Sequence, residues 1–355
     1  MTRSNLYIDP EIHAPVVTHS SLKVMRRCPK QYDYKYIQRL APKRTNKPLE
    51  RGTWIHALLE EHHSGRDWMV EHQRRTAIFD AMFDEEQDYY GDLPNELLIL
   101  MHAYLWYYED DPVTCIETEF TIETELPNGV YYRGKVDAIM EDQFGLWIWD
   151  HKSHKTLPDL NFRLLDGQSA LYLWAAIRKE MGVRGFKWNY LVTKPPSIPK
   201  AIKDGSRLSK VMGDTDYVTF KAGVQALMKS GQLSKNCVDL DQIKAKLKYL
   251  KHQKYRPGEP QTSPFFRRDT LEKSEDMLHR VAMENYHTVQ RIQKYPFHKQ
   301  EAVERVVDRS CTFTCSYVDL CTVELMGGNS RAIRTNNFRE RDPMHYYQDD
   351  KKVGD

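Results

Sequence analysis

Residues Tyr131 to Lys152 read YYRGKVDAIMEDQFGLWIWDHK. β-Branched and aromatic residues fill Val130–Met140, Glu141–Gly145 is polar and ends in glycine, and Leu146–His151 is strongly apolar. The pattern predicts two strands joined by a tight turn. Side chains alternate along a strand, so Asp150 and Lys152 share one face, and Trp149 and His151 share the other. Asp137 lies near the end of the first strand, where the turn can bring it beside Asp150. Two carboxylates and an amine then converge at one sheet edge, flanked by Ile139, Trp147, Ile148 and Trp149.

Carboxylates at the margin of an apolar sheet repel each other and resist desolvation. A divalent cation relieves both problems, and Mg2+ is commonly held by one or two carboxylates together with substrate phosphate. A lysine two residues on can carry positive charge to a phosphate or to an attacking water. Asp-x-Lys is also a common triplet on hairpins whose Asp and Lys merely face solvent, so the spacing alone leaves both readings open.

A chain of 355 residues can form one large domain or two ordinary ones. Its 40% hydrophobic and 11% aromatic content supports a sizeable core and argues against disorder. The net charge of +2 conceals a local polarity. Residues 60–125 carry 18 acidic and 3 basic side chains, whereas residues 194–256 carry 14 basic and 5 acidic ones. Such a chain can offer a cationic surface to an anionic polymer. Two solvated faces of opposite sign would have the same composition. The sequence has no signal-peptide pattern and no apolar run long enough to span a bilayer. The expectation is a soluble cytoplasmic protein with no membrane partner. Six cysteines in a chain of this size do not suggest a secreted disulfide scaffold.

Along the chain, residues 1–19 read as irregular. Ser20 and Ser21 are candidate caps for a helix through Leu22, Val24 and Met25, interrupted at Cys28-Pro29. Arg51–His63 reads as a helix with Trp54, Ile55, Leu58 and Leu59 as its apolar stripe and with His56 and Glu60 one turn apart. Residues 67–108 read as helical with breaks near Gly91 and Pro94. Ile116–Leu126 alternates like a strand, with Glu117, Glu119, Thr121, Glu123 and Glu125 on one face. A helix is expected from about Asn161 to Met181, carrying Gln168 and Tyr172, then a strand over Gly185–Val192. A basic helical insertion follows over about 194–260, with helices at Thr219–Met228 and Leu240–His252. Pro257–Pro264 reads as a linker and Leu271–Tyr295 as a long helix. Residues 20–325 then form a single domain, and 326–355 a loose polar tail.

Gly134-x-x-Asp137 followed by Asp150-x-Lys152 resembles the active-site signature of the PD-(D/E)XK nuclease superfamily. Arg51–Glu60 resembles the histidine motif of its RecB-like branch, and Gln168-Ser-Ala-Leu-Tyr172 that branch's QxxxY motif. Each motif is weak alone, but their order and their predicted elements agree over about residues 50–192. The resemblance implies an α/β, restriction-endonuclease-like core, a central mixed sheet flanked by helices, with added helical regions. It implies a Mg2+- or Mn2+-dependent DNA nuclease. By position, His56, Asp137, Asp150 and the backbone carbonyl of His151 would ligate the metal. Lys152 would orient or activate the hydrolytic water, and Gln168 and Tyr172 would contact DNA or brace the site. An oxygen-rich site suits either ion, and one imidazole favours Mn2+.

Cys311-x3-Cys315-x5-Cys321, together with the distant Cys28, offers four sulfurs. Thiolates in that number select Fe–S clusters or Zn2+. The arrangement is similar to the iron–sulfur staple of AddB-type helicase-nucleases and of RecB-like exonucleases associated with CRISPR systems. It implies a [4Fe-4S] cluster clasping the N- and C-terminal parts, although the first gap of the triplet is longer than in many relatives. Zinc and free thiols remain the alternatives. Cys115 and Cys237 have no partners by spacing.

The QxxxY resemblance favours exonuclease action from DNA ends, single-stranded or duplex. Tyr190 beside Lys187 and Lys194, and Tyr249 beside Lys251, are candidates for base stacking and backbone tracking. A non-catalytic DNA-binding or scaffold subunit would be expected to lack a site carboxylate or the lysine, and none is missing here. An RNA-acting nuclease and an endonuclease fit the same residues. The absence of helicase motifs suits a stand-alone enzyme, including a phage-encoded one, acting with or without recombination and repair partners.

Overall fold

The strands are β1 (Tyr7–Ile8), β2 (Pro15–Val17), β3 (Leu40–Pro42), β4 (Thr114–Glu125), β5 (Tyr131–Asp142), β6 (Gly145–His154), β7 (Val183–Val192), β8 (Phe266–Leu271) and β9 (Phe338–Glu340). They belong to a computed structural model that describes residues 4–159, 161–210 and 213–345. A seven-stranded mixed sheet runs β1-β2-β5-β6-β7-β8, with β4 on the remaining edge of β5. The central hairpin pairs Ala138 with Trp149 through to Asp142 with Gly145. Gly145 has φ +124°, a conformation open to glycine. β6 and β7 are parallel, so the chain must cross over between them, and the helix Gly167–Arg178 makes that crossing.

The topology creates a fork. The β5–β6 ladder stops at Ala138 and Trp149. Further down β5, the edge that faced β6 is taken by β2, which pairs Val16 with Tyr131 and Val17 with Tyr132 in parallel. Between these two ladders β5 and β6 diverge, and β6 continues on β7 alone as far as His154 and Val192. The side chains flanking the fork are charged: Lys135, Asp137, Asp150 and Lys152. Charged groups resist desolvation, so a cleft suits them better than a closed ladder.

Helices cover both sheet faces. Lys47–His63, Trp68–Asp80 and Leu93–Tyr107 bury Trp54, Ile55, Leu58, Leu97, Met101 and Tyr104 against one face. His19–Arg27, Gly167–Arg178 and Glu275–Lys294 bury Leu22, Met25, Leu171, Leu278 and Val289 against the other. Each fully buried aliphatic side chain stabilises the fold by about 1.5–3 kcal/mol. The helix Lys47–His63 starts one turn earlier than its apolar stripe suggests. Asn46 caps it by accepting from the Leu49 N–H, with proline in the first turn. The insertion helices, Tyr217–Lys229 and Leu240–His252, share a small core of Phe220, Val224, Leu233, Ile243 and Leu250.

Several expectations are corrected. The N-terminal stretch is not irregular throughout, because β1 and β2 join the main sheet. Thr18 caps the first helix, and Ser21 returns the bond to the Thr18 N–H, instead of Ser20 or Ser21 acting as the cap. The helix expected over 161–181 divides into Asn161–Leu164 and Gly167–Arg178. Phe266–Leu271 forms β8 beside β7, and the long helix begins only at Glu275. The tail is not loose up to residue 345. Arg331–Asn337 is helical, and β9 pairs with β3, burying Phe338. Residues 346–355 lie outside the described residues. Among the described residues no helix is long and apolar enough to cross a membrane.

Candidate active site

The fork opens into a cleft of about 170 Å³ whose lining includes His56, Asp137, Asp150, Lys152, Gln168 and Tyr172. Four elements deliver these residues. His56 comes from the helix Lys47–His63, Asp137 from β5, Asp150 and Lys152 from β6, and Gln168 and Tyr172 from the crossover helix. Asp166 caps that helix by accepting from the Ser169 N–H at 2.8 Å, which places Gln168 in its first turn at the mouth of the fork.

Polar contacts connect the residues. His56 Nδ1 lies 3.1 Å from Asp137 Oδ1. The other Asp137 oxygen accepts from the backbone N–H of His151, a donor left without a strand partner by the fork. Lys152 Nζ is 2.6 Å from Asp150 Oδ2 and donates to Gln168 Oε1 at 3.2 Å. Gln168 Nε2 donates to Tyr172 Oη at 3.0 Å, and Tyr172 Oη donates to the Lys135 carbonyl at 2.7 Å. The tyrosine thus bridges the crossover helix to β5. Gly134 makes room for it, since a Cβ there would lie 2.3 Å from the Tyr172 ring. The glycine of the first motif is therefore a packing requirement of the tyrosine of the last.

Burial opposes ionisation of Asp137, but His56, His151 and Lys152 outweigh it and hold the carboxyl far below the usual range. At Asp150, burial prevails over the opposing charge of Lys152, Asp137 adds to it, and the pKa rises to about 6. Burial pulls His56 and Lys152 toward neutrality, yet the carboxylates raise both, Asp137 leading at His56 and Asp150 at Lys152. Asp150 Oδ2 is sealed from solvent and faces the ammonium of Lys152. A buried carboxylate whose ionisation is opposed by burial and by a second carboxylate is what a divalent cation would stabilise. Two carboxylates, an imidazole and a carbonyl fit Mg2+ or Mn2+ as a donor set. Among the described residues no three His, Cys, Asp or Glu side chains are drawn together tightly enough to grip an ion. In this structure Asp137 turns to His56 and the His151 N–H, and Asp150 turns to Lys152.

Sequence reasoning missed two neighbours. Glu119 sits on β4 with φ +54° and pairs with Lys135 at 2.7 Å. Burial raises its pKa, and its charge interacts with Asp137 and His56. In sequence it is one of a row sharing a face with Glu117, Thr121, Glu123 and Glu125; the β4–β5 register, Thr118 opposite Ala138 and Phe120 opposite Val136, sets it across from Asp137. His19, at the start of the first helix, lines the cleft itself, and burial lowers its pKa to about 4. Its nearness to a capping sequence was the only signal.

Other candidates fare differently. Tyr190 is 4% exposed and lies under Arg163, 4.8 Å from its ring centroid, so it offers no open stacking face. Lys187 is paired with Asp142. Tyr249 is 57% exposed, with Lys246 5.6 Å over its ring. Cys28, Cys311, Cys315 and Cys321 are free and half-buried. Burial raises the Cys315 thiol, with Cys311 and Cys28 adding to the shift, and Cys315 and Cys321 pack beside Tyr34 and Tyr317. The fold thus brings the N-terminal cysteine to the C-terminal ones. Among the described residues it does not gather them into a group that could hold a metal ion.

Comparison with known proteins agrees with the site. The family model of the PD-(D/E)XK nuclease superfamily matches residues 16–322. A solved structure titled "Crystal structure of SSO0001" aligns at 13% identity over 64% of this chain and 80% of that one, with a TM-score of 0.24. No curated protein matches the chain. With a family match spanning Cys28 to Cys321 and every residue of the fork, the chain belongs to the PD-(D/E)XK nuclease superfamily.

Proposed function

We propose that this nuclease is a RecB-like, divalent-metal-dependent deoxyribonuclease that degrades DNA from its ends. The observation that carries the reading is the convergence of His56, Asp137, Asp150 and Lys152 at the β5–β6 fork. His56, Asp137, Asp150 and the His151 carbonyl would hold Mg2+ or Mn2+, which supplies a polarised phosphate oxygen and an acidified water. The chain's own residues do the positioning. The N–H and C=O of one strand residue face the same edge, so the His151 carbonyl faces the fork as its N–H does. Lys152, tethered by Asp150 and Gln168, points its charge to where a phosphate would sit. Gln168 and Tyr172 hold that lysine and span the fork, in the pattern of the end-directed branch.

The helix Leu240–His252 exposes Lys244, Lys248, Tyr249 and Lys251, a cationic face with one aromatic ring that suits a nucleic-acid strand. The test is a time course on end-labelled linear DNA, single- and double-stranded, against a covalently closed circle with Mn2+. Label released early as short products from linear DNA, with the circle intact, supports the reading. Nicking of the circle at the same rate replaces it with an endonuclease.

The same reading assigns Cys28, Cys311, Cys315 and Cys321 to a [4Fe-4S] cluster. Its support is the nearness of Cys28 and Cys311 to Cys315, which both influence. Closing so long a loop would restrict the unfolded chain. Anaerobically purified protein is then expected to be brown, and Cys311→Ser to lose iron and solubility. A colourless protein with stoichiometric zinc would reject the assignment.

A further inference from the structure

The strand segment that forms one side of the fork has a ladder on only one edge, because β6 beyond Trp149 pairs with β7 alone. Something else must hold residue 151, whose N–H anchors Asp137. On the opposite sheet face the His151 ring is 2% exposed and stacks on His63, with centroids 5.3 Å apart and planes 14° apart. Its Nδ1 lies 2.9 Å from Asn189 Nδ2. Asn189 is the register partner of His151 on β7 and is fully buried.

Every polar atom of the Asn189 side chain is used. Its amide nitrogen donates to His151 Nδ1 and, at 3.0 Å, to Tyr104 Oη. Its oxygen accepts from Arg268 Nε at 3.4 Å. Arg268 Nη2 also donates to Tyr104 Oη at 3.1 Å, and Nη1 pairs with Asp111. The amide orientation follows from these partners, because the flipped form would set its oxygen against an acceptor and its nitrogen against a guanidinium. An amide buried in a central strand carries a desolvation cost that an apolar residue would avoid. Full satisfaction makes it tolerable and gives it a rigid geometry.

We propose that Asn189 is a positioning residue for the metal site. Through His151 it fixes the backbone at the fork, and with it both the N–H that aims Asp137 and the carbonyl on the same edge. The inference rests on the reading of the fork as a metal site. Groups that orient ligands from behind typically contribute about 10- to 100-fold to metal affinity. They matter because a site loosened by about 1 Å loses function.

The test is Mn2+ titration of the nucleic-acid-free protein, reading free Mn2+ by electron paramagnetic resonance, with thermal unfolding to establish folding. Asn189→Leu is expected to weaken Mn2+ binding about tenfold. The metal concentration for half-maximal cleavage should rise in step, while the rate at saturating Mn2+ changes less. Tyr104→Phe, which removes one hydroxyl and keeps the ring, should show a smaller loss in the same direction. A folded Asn189→Leu with wild-type Mn2+ affinity overturns the proposal. Should Asn189→Leu fail to fold, Tyr104→Phe decides: reduced affinity supports the proposal and unchanged affinity overturns it. Wild-type protein that binds no Mn2+ would bring down the metal-site reading and this inference with it. Wild-type binding with unchanged variants would bring down the inference alone.

Discussion

Asp150→Asn and Lys152→Ala will each lower the rate of Mn2+-dependent DNA degradation by about a hundred- to a thousandfold or more, measured as label released per minute from linear substrate. The first removes a charged donor from the metal set. The second removes the cation at the position of the phosphate. Their stabilities should diverge, and this separates chemistry from folding. Burial lifts Asp150 to about 6, above its unfolded value of about 4. A carboxyl raised in this way makes the ionised folded state less favourable as pH climbs through that window. Asparagine removes the penalty, so in metal-free buffer near neutral pH Asp150→Asn should melt no lower than wild type. Lys152→Ala leaves the ionised carboxylate without its cation and should melt lower. A fully active Asp150→Asn protein would end the catalytic assignment.

Arg268→Ala will destabilise the fold by about 3–5 kcal/mol, read from denaturant unfolding. The Arg268 and Asp111 side chains are 8% and 6% exposed and paired. The guanidinium is also 3.5 Å from the Tyr108 ring centroid and 4.4 Å from that of Trp149. Alanine strands a buried carboxylate and empties the space between two rings. Replacing both partners, Asp111→Leu with Arg268→Met, should recover most of the loss, since the cost lies in the unpaired charge more than in the absent bond. If the single variant unfolds like wild type, the pair contributes nothing measurable.

Much of the candidate site was legible because its residues sit on elements with strong local signals. The alternation of β-branched and aromatic residues placed Asp137, Asp150 and Lys152 on a hairpin, and the apolar stripe of Trp54, Ile55, Leu58 and Leu59 placed His56 on a helix. Gln168 and Tyr172 share a helix face through their spacing. Tyr190 was misread because its sequence neighbours are lysines, whereas its spatial neighbours are Arg163 and Arg267. β8 and β9 were missed because short, charged strands carry little pattern of their own and exist through distant partners, β7 and β3.

The sequence by itself determined the hairpin, the main helices and the set of acidic, basic and imidazole groups that mark a nuclease, because local periodicity and residue chemistry need no knowledge of distant neighbours. Only the tertiary structure decided that the hairpin splits. β2 takes the edge of β5 that β6 leaves, and the unpaired backbone at His151 turns to the Asp137 carboxylate. Only the fold brought His19 to the cleft, set Glu119 against Lys135 and placed Asn189 and Arg268 behind the fork. These placements depend on which strand edges meet and on which buried polar groups must find partners. Both are settled by the whole chain at once and leave no trace in any short segment.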